Sequence, residues 1–113
     1  MKHLLFIIII LTLGGCTQIS DHKPADLIPQ DKMILLLADI HIADALIEHK
    51  SGTQNVNLPL TNAIYTKIYQ NYGVSSSQFR SSYRYYESHP ALMDNMYTQI
   101  ITELSKKEAL MKK

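Results

Sequence analysis

The stretch Asp39-Ile40-His41-Ile42-Ala43-Asp44, with Glu48 one turn further on, brings three carboxylates and an imidazole close together. These side chains bind divalent metals or carry general acid–base chemistry. Spacing decides which of them can act together. At about 100° per residue, Asp39 and His41 fall roughly 160° apart on a helix and cannot share one ion. His41, Asp44 and Glu48 do share a side, and His41 with Asp44 at i+3 supplies two ligands. A catalytic zinc needs a third protein ligand, and neither an H-E-x-x-H run nor paired Cys/His spacing provides one. No metal and no cofactor are therefore assigned, and His41 and Glu48 are read as a solvated or groove-facing edge. Asp39 differs because a helical wheel places it inside an apolar arc, between Leu46 and Ala43. An ionised carboxylate there needs a hydrogen-bond donor or a cation. The expected partners are Ser82, Tyr85 or Tyr86, or else Arg80 or Arg84, so that Asp39, with His41 and Ser82, forms polar structure that docks the first helix on the third. A catalytic acid is the sharper alternative.

Tyr83-Arg84-Tyr85-Tyr86, followed by His89-Pro90, is the aromatic concentration of the chain. Interleaved Tyr and Arg can grip a peptide as amphipathic anchors. The bland reading keeps Tyr83 and Tyr86 in the core and leaves Arg84 and Tyr85 on the surface. The functional reading makes Arg84 and Tyr85 part of a partner-binding groove, with Tyr69 and Tyr72 as further walls. No serine stands in a G-x-S-x-G setting and no glycine-rich phosphate loop occurs, so an enzyme is not expected.

Cys16 is the third chemical feature. Lys2 precedes an apolar run from Leu4 to Leu13, and Gly14-Gly15 lead into the chain's one cysteine. That run falls well short of the roughly 20 residues needed to cross a bilayer and reads as a secretory signal. Leu13-Gly14-Gly15-Cys16 resembles the bacterial lipobox, which implies cleavage after residue 15 and acylation of Cys16. The alternative is a free thiol that happens to end a signal, which is unusual in an exported chain. Several acyl chains anchor where one does not, at about 0.8 kcal/mol per buried methylene. Thr17 after the cysteine is not the Asp of inner-membrane retention in enterobacteria. Asp21 is isolated, unlike the acidic run of a Bacteroidota surface-export signal. By resemblance, the expected site is the outer membrane, facing the periplasm, with surface exposure left open.

These residues need elements to hold them. With 11 basic and 10 acidic residues the chain is close to neutral, which disfavours a nucleic-acid binder. It gives no more support for an electrostatic membrane patch. No cysteine remains to form a disulfide once Cys16 is lipidated, so an apolar core must hold one small domain. The expected order is a signal over 1–15, Cys16 and a polar tether over 16–25, a helical domain over 26–106 and a basic tail over 107–113. Helical periodicity predicts four helices near 29–50, 58–72, 76–87 and 90–106. On the first, Met33, Leu36, Leu37, Ile40, Ala43 and Ile47 form one face, extended by Leu35, Ile42 and Leu46. Gly73 suits a left-handed helix stop, Ser75-Ser76-Ser77-Gln78 reads as a capping box, and Pro90 opens the last helix. The third helix is expected to bury Phe79, Tyr83 and Tyr86. The fold class is all-α, a small bundle.

Several of these pieces together resemble a family of small helical Bacteroidota lipoproteins catalogued as a domain of unknown function (DUF4296-like). They are Ile28-Pro29 with Asp31-Lys32-Met33, then Leu37, Asp39-Ile40-His41 and Ala43-Asp44-Ala45. Tyr72-Gly73-Val74-Ser75, Phe79, Ser82, Tyr85-Tyr86, His89-Pro90 and Tyr97 complete the match. The resemblance covers about residues 26 to 105 and implies a helical lipoprotein domain without assigned catalytic residues. Tyr72 to Phe79 are also similar to the helical N-terminal segment of periplasmic parvulin-type chaperones, which implies a peptide-holding bundle. The expected function is non-enzymatic binding of an envelope protein or unfolded client from a membrane anchor. The alternatives are a permanent accessory subunit of an envelope complex and a metal-dependent enzyme.

Overall fold

The computed structural model describes residues 22–51 and 58–113. The signal, Cys16, most of the tether and the loop after Ser51 lie outside the described residues. Four helices carry the rest: α1 Gln30–Ser51, α2 Leu58–Tyr72, α3 Ser76–Glu87 and α4 Pro90–Met111. The fold is all-α, and no strand occurs among the described residues.

Local chemistry sets the joints. The Pro29 carbonyl accepts the Met33 N–H at 2.9 Å, so Pro29 sits just before α1 instead of inside it. Between α2 and α3, the Gly73 N–H donates to the Gln70 carbonyl and the Val74 N–H to that of Tyr69. This pair of bonds closes a helix when the residue after its last turn is left-handed, and Gly73 has φ +65. Ser75 caps α3 by accepting the Gln78 N–H at 3.0 Å. Only that half of the capping box forms. The Gln78 side chain reaches away to the Asp26 carbonyl at 2.8 Å. Pro90, which has no N–H to lose, opens α4.

That glutamine belongs to a strap. Before α1 the chain lies along α3 and is bonded to it at both backbone groups of Ile28. The Ile28 N–H donates to Ser82 Oγ at 2.9 Å, and its carbonyl accepts from the Tyr86 hydroxyl at 2.7 Å. Ile28 and Ser82 are fully buried. Ser82 is therefore a structural polar residue, but its partner is the strap and not Asp39.

α1 packs against α2 on one side and α4 on the other, while α3 spans α2 and α4. Flanked twice, α1 buries Met33, Ile34, Leu36, Leu37 and Ala38 almost consecutively. Ile68, Met93, Met96 and Ile100 answer from the other helices. Leu35 and Leu46, expected to widen the apolar face, are exposed, Leu35 at the margin of α4 beside Gln99 and Thr102. Phe79 and Tyr83, expected in the core, are only half-buried. α4 does not stop near Lys106 but runs on to Met111, where the Lys112 N–H returns to the Glu108 carbonyl. The segment 107–113 is therefore mostly helix and not a separate tail. Pairing of Lys106 with Glu103, Lys107 with Asp39 and Lys112 with Glu108 supports those last turns.

Candidate functional site

α1 and α3 are not neighbours in the backbone packing, and the space between them opens as a cleft of about 200 Å³. α1 supplies Leu37 and Ile40 as an apolar floor and His41 and Asp44 as a polar edge. Phe79 and Tyr83 from α3 and Tyr97 from α4 form the opposite wall. The wall is a connected run of rings. Tyr69 packs on Phe79 with centroids 5.3 Å apart, and Phe79 on Tyr83 at 5.9 Å. The neighbouring Tyr97 side chain, then burial, holds the Tyr83 hydroxyl above the usual tyrosine pKa.

Two tyrosines of α2 tie down two of the carboxylates of α1. The Tyr65 hydroxyl donates to Asp44, and the Tyr72 hydroxyl donates to Asp39 at 2.6 Å. Lys107 of α4 donates to the other Asp39 oxygen, and Lys32 reaches the Tyr72 carbonyl at 3.4 Å. Asp39 therefore joins α1 to α2 and α4. The expected partners Ser82, Tyr85, Tyr86, Arg80 and Arg84 belong to α3, which lies diagonally across the bundle. His41 is exposed on the cleft rim. Among the described residues, no group of three or more His, Cys, Asp or Glu side chains is placed to hold a metal ion.

The tyrosine–aspartate bonds carry a pH dependence. The bond to Asp44, then burial, push Tyr65 up to about 12. Burial, then the bond and charge of Asp39, raise Tyr72 further in the same direction. Burial also raises Tyr69 and Tyr86. A hydroxyl with a folded pKa above its unfolded value binds more protons in the folded state. Its stabilisation is complete below about pH 10 and is lost as pH climbs through the folded value. Urea midpoints should therefore be flat from neutral to about pH 10 and fall beyond it, and Tyr65→Phe should blunt the fall. A midpoint that held steady across the alkaline range would contradict these bonds.

Arg84 and Tyr85 occupy a different place. They line a groove of about 630 Å³ with His22 and Pro24 of the strap and with Ser81, Glu87 and Ser88. Tyr85 is held firmly in it. Its ring lies 4.3 Å from that of His89 and meets Tyr86 edge-on at 5.6 Å. Its carbonyl accepts from Ser88 Oγ at 2.7 Å and from His89 Nδ1 at 2.6 Å, which fixes the proton on that nitrogen. The expected single groove walled by Tyr69, Tyr72 and Tyr85 is not formed. Tyr69 backs the cleft, Tyr72 is bound to Asp39, and Tyr85 faces the strap groove.

A family model described as "Domain of unknown function (DUF4296)" matches residues 24–109. The chain belongs to this family. The matched span begins at Pro24, whose carbonyl takes the Leu27 N–H at 3.3 Å, so the family unit includes the strap as well as the helices. It ends at Ala109, within the last turns of α4, beyond the point where the sequence was expected to leave the domain. No curated protein and no solved structure matches the chain. Tyr65, Tyr97 and Lys107 are the site residues that sequence reasoning missed. Each is an ordinary residue on its own helix and becomes notable only beside another helix.

Proposed function

We propose that this protein is a lipid-anchored, non-enzymatic binding module of the bacterial outer membrane that captures a protein or peptide in the cleft between α1, α3 and α4. The cleft itself carries the reading. It is apolar at its floor, walled by rings that already pack on one another, and rimmed by His41, Asp44, Tyr83 and Tyr97. Aromatic anchors around a preformed pocket are what a binding hot spot requires. Asp39 and Asp44 are engaged in interhelical bonds, which suits a rigid wall better than a proton-transfer centre. The proposed attachment is through acyl chains on Cys16, on the strength of the lipobox-like Leu13-Gly14-Gly15-Cys16; no helix among the described residues is long and apolar enough to cross a membrane.

The test is in-cell crosslinking of the full-length protein from Glu48, exposed one turn beyond Asp44 on the cleft side of α1, with captured proteins identified by mass spectrometry. Tyr97→Ala and His41→Ala alter exposed side chains and should leave helicity intact. Each should reduce capture roughly tenfold, the scale of one hot-spot residue. Undiminished capture by both variants would refute the cleft as the binding site. A second reading, a permanent accessory subunit, is favoured by the exposed apolar residues Ile101, Leu110 and Met111 along α4. One stoichiometric partner in the crosslinks would support it, and many exported clients would support holding. Metal analysis of protein purified without chelators separates both from a metal-dependent enzyme.

A further inference from the structure

We propose that the outer face of α3, centred on Ser81, Arg84, Tyr85 and Ser88, rests against the lipid headgroups, with Arg84 donating to a headgroup phosphate and Tyr85 lying at the interface. This goes beyond partner capture and rests on the acyl anchor at Cys16.

The length of the leash carries the argument. Cys16 stands six residues before His22, a span of at most about 22 Å when fully extended. His22 and Pro24 line the same groove as Arg84 and Tyr85. Past that point the chain has no slack. The Leu27 N–H bonds back to Pro24, Gln78 holds the Asp26 carbonyl, and Ser82 and Tyr86 hold Ile28 on both sides. Three of those four bonds are to α3, so α3 is the helix that a short tether draws to the membrane. The far end of α1 is well removed, since Glu48 lies about 27 Å along the helix axis from Gln30, where α1 leaves the strap.

The chemistry of the face fits that position. Tyr85 has an apolar ring and a polar tip, the form that settles at membrane interfaces, and His89 holds it in place. Arg84 is exposed and makes no ion pair among the described residues. Glu87 lines the groove as well, and Lys23 and Asp26 are exposed nearby, so the face has little net charge. Attraction then comes from the acyl chains, and Arg84 and Tyr85 set the orientation. On the α3 wheel, Ser81, Arg84, Tyr85 and Ser88 lie roughly opposite Phe79 and Tyr83. A membrane against the first set leaves the aromatic cleft facing water, open to a partner.

The test uses the full-length lipidated protein in vesicles of phosphatidylethanolamine and phosphatidylglycerol containing a headgroup spin-labelled lipid. A fluorophore is attached at Glu87→Cys or, in a second preparation, at Glu48→Cys, both exposed positions. The label at 87 should be quenched and the label at 48 should not. Arg84→Ala should weaken the bias about fivefold, the scale of one arginine at a lipid surface, with Arg84→Lys restoring most of it. Equal quenching at both positions, or stronger quenching at 48, overturns the orientation. An unchanged bias in Arg84→Ala overturns the role given to Arg84. An intact mass lacking the acyl groups, or protein left in the aqueous phase, overturns the anchor and this proposal together. Cleft crosslinking is read separately and should be indifferent to Arg84→Ala.

Discussion

Tyr86→Ala should leave the domain close to unfolded at room temperature. Removing a buried aromatic costs about 3–5 kcal/mol, and a small domain has a total stability near the low end of about 5–15 kcal/mol. Tyr86 has a second function that alanine also removes, since its hydroxyl holds the carbonyl of the fully buried Ile28. Tyr86→Phe isolates that part. It keeps the ring and orphans a buried acceptor, which costs about 1–2 kcal/mol. Ser82→Ala orphans the Ile28 N–H in the same way and should cost about 1 kcal/mol. Urea unfolding followed by circular dichroism should rank the variants Ala, Phe, then Ser82→Ala, with an unchanged slope for the two milder ones. If Tyr86→Phe matched the parent protein, the strap would not depend on this bond. Both mild variants should also speed proteolysis between Pro24 and Pro29, because they loosen the same segment.

The strap shows where sequence reasoning runs out. Helix limits were legible because they are set within a few residues: Gly73 at a left-handed stop, Ser75 as a cap, Pro90 in a first turn. Which side of a helix is covered was less legible. Leu35 and Leu46 satisfy an apolar wheel as well as Leu36 does, and only the positions of α2 and α4 leave them exposed. Pairings across the bundle were not legible. Asp39 was readable as a carboxylate in need of a donor, because that need is a property of the residue and its helix face. Its donors, Tyr72 and Lys107, follow from the order in which the helices pack around α1. The Gln78 side chain likewise had a good local use in a capping box, but the structure brings the Asp26 carbonyl within its reach. The end of α4 was missed for the same reason, since the Lys107–Asp39 pair that helps to hold it spans most of the chain.

Asp39 accordingly gives the second large expected effect. Both carboxylate oxygens are engaged, one by the Tyr72 hydroxyl and one by the Lys107 ammonium, so three helices meet at one side chain. Asp39→Ala should cost about 2 kcal/mol, the range of a hydrogen bond to a charged group with its partner left behind. The two contacts should contribute unequally. Side chains at the Lys107–Asp39 pair are about a third exposed, and ion pairs so placed contribute about 0–1 kcal/mol. Lys107→Ala should therefore cost about 0.5 kcal/mol. Tyr72→Phe should cost about 1–1.5 kcal/mol, since the carboxylate retains only Lys107 and water. The double variant Asp39→Ala with Tyr72→Phe should fall short of the sum of the singles by about 1 kcal/mol, because the shared bond is lost only once. Full additivity would mean that the two side chains do not act on each other. The decisive variant is Asp39→Leu, which places an apolar side chain on an apolar arc at the expense of both partners. If the bonds govern how α1 seats against α2 and α4, Leu destabilises about as much as Ala. If Leu stabilises, burial governs that seam and the carboxylate is dispensable to the fold.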